Sequence, residues 1–411
     1  MKTDRTVVLH AITDSISVVL IRGQLRYLKT HGFHCALLCS PGPNLDRIAV
    51  DENIPVFPAA MMREISPLAD LRSLANICAI LRRLRPVICN AGTPKAGLLV
   101  GLAAWLTRVP CRIYTLRGLR LETATGFKRR LLTLAERISC RAAHRVICVS
   151  ASLRDRAVAL NLVPLHKTVL LGAGSSNGVD ALRFMPSPEK AAFAADVRKK
   201  LSIGSSQPVI GFAGRLTRDK GIPDLIAAWK SVREAPARPV LLLVGDDEAS
   251  DPVPAHIKNA IESDPRIYHI PFNSQIELYY AAMDLFVLPT HREGLPNTVL
   301  EAQVSALPVI TTFATGAVDS IENGVTGILV PVGDSVTLAD AILSLLSDPA
   351  RLQSMGRRGR ERVVQHFSNE IVWQNLASLY RTMLEERGYP SPAPAASPAA
   401  SMETPQCAQV R

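Results

Sequence analysis

Short apolar runs alternate along nearly the whole chain with segments whose apolar residues recur every three or four positions. The first kind reads as buried strands and the second as helices lying on them. The pattern predicts strand 6–12, helix 18–30, strand 34–39, helix 67–84, strand 87–90, helix 94–106, strand 111–116, helix 126–143, strand 145–149, helix 152–160 and strand 167–171. Gly, Ser, Asn and Pro then crowd residues 172–187, which reads as a linker. The alternation restarts with strand 209–213, helix 222–233, strand 240–244, helix 255–262, strand 267–270, helix 274–282, strand 285–288, helix 296–305 and strand 309–312. Helices 336–346, 349–365 and 369–385 close it, and residues 389–411, rich in Pro, Ala and Ser without an apolar period, are expected to be disordered.

A strand–helix repeat predicts an α/β fold with a parallel sheet covered by helices. Its restart predicts two such domains, 1–180 and 181–368. Open parallel sheets bind ligands beyond the carboxyl ends of their strands, so two in tandem suggest one cleft between them. The pattern leaves the order of strands in each sheet open.

Composition adds constraints. At 411 residues, 47% hydrophobic and 20% charged, the chain is neither disordered throughout nor collagen-like. Its longest uncharged apolar stretch, 96–106, is shorter than the about 20 residues that span a bilayer. The opening MKTDR leads straight into a strand, so no secretory leader is expected. The eight cysteines (35, 39, 78, 89, 111, 140, 148 and 407) form no CxxC pair, and read as small core residues in a reducing compartment.

Charge is uneven. Residues 1–180 carry 25 Lys and Arg against 11 Asp and Glu, whereas 181–411 carry 22 against 25. Between Arg82 and Arg145 there are 14 basic residues and two acidic ones, Glu122 and Glu136. Such a field attracts polyanions or an anionic membrane surface, or is simply a solvated face. Aromatics are only 5%, with none of the aromatic–arginine motifs of RNA or DNA binding, so no nucleic acid partner is expected.

Two segments carry chemistry. In Gly211-Phe-Ala-Gly214-Arg215-Leu-Thr-Arg-Asp-Lys220-Gly221, a strand ends, glycine turns the backbone, and two cations bracket a helix start. That suits a diphosphate; otherwise these are surface cations beside a turn. In Pro289-Thr-His-Arg-Glu293-Gly294-Leu295-Pro296-Asn297-Thr-Val-Leu-Glu301, a strand leads through a loop to a helix whose first turn suits proline. Free N–H groups there favour an anion or sugar oxygens. Glu301 lies about 7–8 Å up the helix axis, so the two carboxylates can meet different parts of one extended ligand. Outside this context they read as an exposed helix residue and a loop charge. Gly245-Asp246-Asp247-Glu248 reads as a solvated loop, His31 and His34 as non-metal, and Gly172–Gly178 as a near miss of a dinucleotide fingerprint.

These two segments, in this order, resemble the donor site of the GT-B retaining glycosyltransferases of family GT4. Thr315-Gly316, the stretch Ile321-Glu322-Asn323-Gly324 to Pro331, and Asn177-Gly178-Val179-Asp180 extend the resemblance to about residues 5–385. It implies two Rossmann-like domains facing across a cleft, the last helix (369–388) crossing back to the first. It implies that Arg215 and Lys220 neutralise the donor diphosphate and that Glu293 holds the donor sugar, with Gly294, Leu295, Pro296 and Asn297 beside it. Glu301 would take the ribose hydroxyls. No metal or other cofactor is expected. Asn90-Ala-Gly-Thr93-Pro94-Lys95 and Thr115-Leu-Arg117-Gly118-Leu-Arg120-Leu-Glu122 resemble the branch acting on undecaprenyl-diphosphate-linked sugars. They place Thr93, Lys95, Arg117, Arg120 and Glu122 on the acceptor side. Many members carry a histidine facing the reacting sugar where this chain places Arg117.

The expected function is retaining transfer from a nucleotide-diphosphate sugar, UDP-linked, to a polyprenyl-diphosphate-linked glycan in surface polysaccharide assembly. The protein is expected in the cytoplasm, peripheral at the inner membrane face. Lys128, Arg129, Arg130, Arg137 and Arg141 of helix 126–143 would rest on anionic lipid, with Leu131, Leu132, Leu134 and Ile138 inward. Two other readings compete: a sugar-nucleotide epimerase of the same fold, and a membrane- or polyanion-binding protein with a vestigial donor site.

Overall fold

A computed structural model describes residues 6–42, 45–62 and 66–392. Two parallel sheets follow one another. The first holds β1 (Val7–Ala11), β2 (His34–Cys39), β3 (Val56–Pro58), β4 (Ile88–Ala91), β5 (Cys111–Leu116), β6 (Arg145–Cys148) and β7 (Thr168–Leu170). Their spatial order is β3-β2-β1-β4-β5-β6-β7. The second holds β8 (Val209–Ala213), β9 (Val240–Val244), β10 (Ile267–Ile270), β11 (Leu285–Leu288), β12 (Val309–Thr312) and β13 (Gly327–Val330), in the order β10-β9-β8-β11-β12-β13. Every residue of β8, β9 and β11 is buried. Helices cover both faces of such a sheet, which is why its strands are unbroken apolar runs.

All strands run parallel, and the order in which the chain adds them to each sheet switches sides once, between β1 and β4 and between β8 and β11. At these switch points the loops part and leave a crevice at the strand ends.

The last helix, Asn369–Glu385, lies on the first sheet and shares a core with Val8, Leu25 and Leu37 through Val372, Leu376, Tyr380 and Leu384. Tyr380 is fully buried there. Its hydroxyl accepts from Asn90 Nδ2 (2.8 Å) and meets His10 Nε2 (2.9 Å), while Thr115 Oγ1 donates to Asn90 Oδ1 (2.9 Å). The helix thereby ties β1, β4 and β5 together. Burial, reinforced by Arg117, holds His10 down at about 3, so its ring is neutral. The crossing is clasped where Val179 N–H donates to Phe367 O (2.9 Å) and Asn369 N–H to Val179 O (3.1 Å).

Several elements differ from the sequence pattern. Segment 18–30 is a 3₁₀ turn, Ser15–Ile21, followed by helix Gln24–Thr30. They are split by Gly23 at φ +77°, whose N–H donates to Glu52 Oε1 at 2.5 Å. Helices Leu45–Asp51 and Pro188–Lys200 and strands β3 and β13 are further elements that the sequence pattern does not include, although β13 is itself a short apolar run, Ile328-Leu329-Val330. The supposed linker contains the helical turn Ala181–Phe184. The tail expected to be disordered begins with residues laid on the first lobe: Thr6 Oγ1 donates to Pro390 O (3.0 Å) and Arg381 Nε to Pro392 O (3.0 Å). Residues 393–411 lie outside the described residues.

In helix Gly126–Ala142, Leu134 is 55% exposed rather than inward. Glu136 takes the inner position, where Tyr114 Oη donates to it at 2.9 Å and burial lifts its carboxyl to about 7. The seven described cysteines are buried and free. No described helix is long and apolar enough to cross a membrane.

Candidate active site

At the first switch point Thr13 follows β1 and Thr93 follows β4. Thr13 N–H donates to Thr93 Oγ1 (3.0 Å) and the two hydroxyls lie 2.7 Å apart. Asp14 caps the following 3₁₀ turn, accepting from Ser17 N–H at 2.9 Å.

At the second, β8 ends at Ala213 and Gly214 turns the chain at φ +146°. Helix Ile222–Val232 starts after Gly221, at φ +74°, where a Cβ would lie 1.9 Å from Pro289 O. Only glycine allows the helix start and the loop after β11 to approach so closely. That approach sets Lys220 Nζ on Glu293 Oε1 as an ion pair, with Thr290 Oγ1 3.3 Å from the same oxygen. Arg215 is placed differently. Its Nη1 pairs with Glu248 Oε2 at 2.5 Å, and its side chain is 57% exposed. The structure therefore joins Lys220 to Glu293 and turns Arg215 toward the loop after β9.

Helix Asn297–Val304 begins just beyond Glu293, with Pro296 at its cap rather than in its first turn. Leu295 and Pro296 are buried, Leu295 within the main core, so this stretch presents backbone more than side chains. Glu301 receives a hydrogen bond from Tyr280 Oη (3.0 Å). Burial raises its carboxyl to about 7; the Tyr280 bond and Arg183 oppose the rise and Glu277 adds to it. His291 Nε2 meets Asp224 Oδ2 at 2.6 Å, a bond that raises the imidazole against the effect of burial and pins the loop to the neighbouring helix.

The first lobe closes on this loop. A Cβ on Gly294 would lie 2.1 Å from Arg117 O, and one on Gly118 3.4 Å from Gly294 N. Ser150 Oγ donates to Gly294 O (2.6 Å), and Gly316 N–H donates to Ser152 Oγ (2.7 Å), which also pairs with Asp319. Thr123 Oγ1 donates to Asp219 Oδ2 (3.3 Å) and accepts from Arg292 Nε (2.9 Å).

The acceptor-side candidates separate. Lys95 is held in an ion pair with Asp70 (2.6 Å), its side chain only 9% exposed. Arg117 donates Nε–H to Gly92 O (2.7 Å) and Nη1–H to Leu20 O (3.1 Å). Burial pulls it down to about 10, which still leaves it charged at neutral pH. Glu122 reaches across the cleft, accepting from Thr315 Oγ1 (2.9 Å) and pairing with Arg156 (3.0 Å). Arg120 is exposed. Arg117 and Glu122 therefore line or bridge the junction, Thr93 stands buried on Thr13 at the first switch point, and Lys95 is committed elsewhere.

Sequence reasoning missed Ser150, Ser152, Asp219, Asp224, Tyr280 and Asp319. A signal existed for Ser150: a serine between an apolar run and a helix is an N-cap pattern, and its Oγ accepts from Leu153 N–H. Each acid of the loop after β9 has its own protein partner: Asp246 with Phe272 N–H, Asp247 with Lys258, Glu248 with Arg215, and Asp251 with Asp219 N–H. Among the described residues no three or more His, Cys, Asp or Glu gather as metal ligands would.

Residues 207–348 match the family model described as Glycosyl transferases group 1, and residues 18–174 match the Glycosyl transferase 4-like domain. The chain is 37% identical over 379 residues to the capsular polysaccharide biosynthesis glycosyltransferase CapM of Staphylococcus aureus, covering 92% of this chain and 98% of that protein. It is 26% identical to the UDP-Gal:alpha-D-GlcNAc-diphosphoundecaprenol alpha-1,3-galactosyltransferase of Escherichia coli, covering 88% and 92%. The fold is similar to that of Anabaena Alr3699/HepE, crystallised with UDP-glucose: TM-score 0.76, 20% identity, 92% of this chain and 99% of that one.

Proposed function

Since the chain belongs to the group 1 glycosyltransferases, which carry the GT-B fold, we propose that it moves a hexosyl group, with retention, from a UDP-sugar to a sugar carried on a polyprenyl diphosphate. The observation that carries the reading is the Lys220–Glu293 pair, set in the cleft at the second switch point. An arriving diphosphate takes the ammonium from the carboxylate. Lys220 then stabilises the charge that builds as the sugar–phosphate bond breaks, and Glu293 is released to accept hydrogen bonds from the sugar hydroxyls. Arg215, on a long exposed side chain, swings from Glu248 to the same phosphates. The N-terminus of helix Asn297–Val304 adds partial positive charge. These groups supply the electrostatic work without a metal.

The acceptor hydroxyl attacks the face from which the diphosphate departs. Its proton passes to the leaving phosphate oxygen, so no covalent enzyme intermediate forms. The lipid-linked acceptor is supported by what the Escherichia coli relative's name states of that protein, and the UDP donor by the ligand of the Anabaena structure. The exposed Phe127, Lys128, Arg129 and Arg130 of helix Gly126–Ala142 suit an anionic membrane at the cytoplasmic face.

The test is transfer of label from a panel of UDP-, GDP- and ADP-sugars to a short polyprenyl-diphosphate sugar. Transfer from a UDP-sugar, with the anomeric configuration kept, is expected. Conversion of the sugar nucleotide without acceptor, or vesicle binding without transfer, would overturn the reading.

Glu301 provides a pH prediction. Ribose hydroxyls donate to the ionised carboxylate, which burial disfavours below about 7. UDP-sugar binding should therefore weaken as pH falls through that value, by about fivefold between pH 7 and 6. Titration calorimetry across this range reads it, and Glu301→Gln should flatten the profile. The sign for folding is opposite. A raised carboxyl favours the folded state below its ordinary 4.5, and that contribution fades as pH rises through about 7.

A further inference from the structure

The end of the first lobe opposite the cleft holds a second concentration of charge. The segments entering β5 and β6, with the end of the last helix, enclose an open cavity of about 510 Å³. Arg108, Arg112 and Arg387 give it charge, Trp105, Leu106 and Pro110 an apolar wall, and His144 a ring nitrogen. Among the described residues no carboxylate lines it. Glu386, next to Arg387 in the chain, is occupied by Arg145 at 3.1 and 3.2 Å. Among the described residues none of the three lining arginines has an ion pair.

Arg112 is held rigidly: Nε–H donates to Ala142 O (2.7 Å) and Nη1–H to Val109 O (2.9 Å). Two protein carbonyls thus fix the plane of a guanidinium that no carboxylate neutralises. His144 Nδ1 accepts from Arg112 N–H (3.3 Å), so Nε2 carries the ring proton and is a donor. Burial, with Arg112, Arg387, Lys167 and Arg145 around it, holds His144 near 4, and the ring stays neutral. Three uncompensated cations beside one cavity repel one another, and an anion relieves that repulsion. Planar guanidinium forks match phosphate oxygens best. Trp105 and Leu106, 53% and 47% exposed, offer a large apolar shelf beside the charge. Tryptophan suits such a boundary, one side apolar and the other wet.

The geometry points to a phosphate-ester site at the foot of the first lobe, separate from the donor cleft. Its arginines grip the phosphate oxygens, and Trp105 and Leu106 receive the apolar group esterified to it. The ester is either the headgroup of a membrane phospholipid or a soluble phosphate ester. The site requires neither a particular donor sugar nor a particular acceptor.

The test uses the full chain and three probes: hexyl phosphate, inorganic phosphate and phospholipid vesicles. Hexyl phosphate, followed by calorimetry, reports the pocket chemistry. Cosedimentation with vesicles of equal parts phosphatidylcholine and phosphatidylglycerol reports the membrane source. The double variant Arg108→Asn, Arg387→Gln should weaken hexyl phosphate binding at least about tenfold, since charge-assisted hydrogen bonds are lost. Trp105→Ala should weaken hexyl phosphate but leave inorganic phosphate unchanged. The triple variant Lys128→Gln, Arg129→Gln, Arg130→Gln should keep hexyl phosphate binding. Thermal stabilisation by UDP-sugar, retained in every variant, shows that each is folded. With Lys128, Arg129 and Arg130 already replaced, so that helix Gly126–Ala142 no longer holds vesicles, loss of the remaining vesicle binding by the double variant assigns the ester to the membrane, and unchanged vesicle binding assigns it to a soluble source. Absence of hexyl phosphate binding in the unaltered protein, or equal binding by the double variant, overturns the site.

Discussion

Lys220→Ala is expected to lower kcat by about two to three orders of magnitude, because a charge partner made for the transition state is removed. The ammonium sits in a half-buried wall of the cleft, paired with Glu293 while no diphosphate is there. Its attraction to the leaving group grows as the sugar–phosphate bond lengthens, so the loss should fall on kcat more than on KM. The substitution also strands the Glu293 carboxylate, which among the described residues keeps the Thr290 hydroxyl at 3.3 Å as its side-chain partner. Glu293→Gln separates the two effects: it frees the lysine but keeps a hydrogen-bonding side chain for the sugar, and should cost less than Lys220→Ala. Steady-state kinetics with saturating acceptor read both. Turnover of Lys220→Ala equal to that of the unaltered protein would remove the lysine from the chemistry.

Gly294→Ala should be nearly as damaging to activity, for a reason that has nothing to do with charge. The φ of Gly294 lies outside the left-handed region, so the local backbone accepts alanine. The obstacle is the other lobe: the new methyl would stand 2.1 Å from Arg117 O and 3.0 Å from Val149 Cγ2. A backbone carbonyl cannot rotate away as a side chain can. The lobes must part, and the hydrogen bond from Ser150 to Gly294 O parts with them. A displacement near 1 Å between donor and acceptor halves costs about a hundredfold in rate. One apolar core runs from Tyr114, Leu116 and Val149 of the first lobe to Leu295 and the second sheet, so parting the lobes should also lower the melting temperature, and small-angle scattering should report a more open molecule. Unaltered turnover would mean that the close approach of residues 117–118 to residue 294 is not needed for reaction.

Much of the fold was legible locally. β2, β5, β8, β9, β10, β11 and β12, and helices Pro67–Leu84, Pro94–Leu106 and Asn369–Glu385, have the limits read from apolar pattern alone. Continuous apolar runs mark strands covered on both faces, and Pro67 and Pro94 mark helix starts. Edge elements were not legible. β3 has no fully buried residue, and helix Pro188–Lys200 buries only Ala194 and Val197. Such elements need little apolar surface, so periodicity hardly registers them. The orientation of helix Gly126–Ala142 was misread because Glu136 finds a buried partner, Tyr114, on a neighbouring strand.

The sequence by itself determined that two α/β units follow one another and that Lys220, Glu293 and Glu301 stand at strand ends or helix starts. Those properties depend on neighbours within a few turns. Only the tertiary structure decided which strand lies beside which, and hence that the two glycine-bearing loops meet at a switch point. It paired Lys220 with Glu293 across 73 residues, turned Arg215 to Glu248, and tethered Arg117 to two carbonyls. A side chain's periodicity tells whether its face is buried; it does not tell what waits on the other side. That is settled by strand order and by how closely backbones approach, and both arise only when distant segments pack.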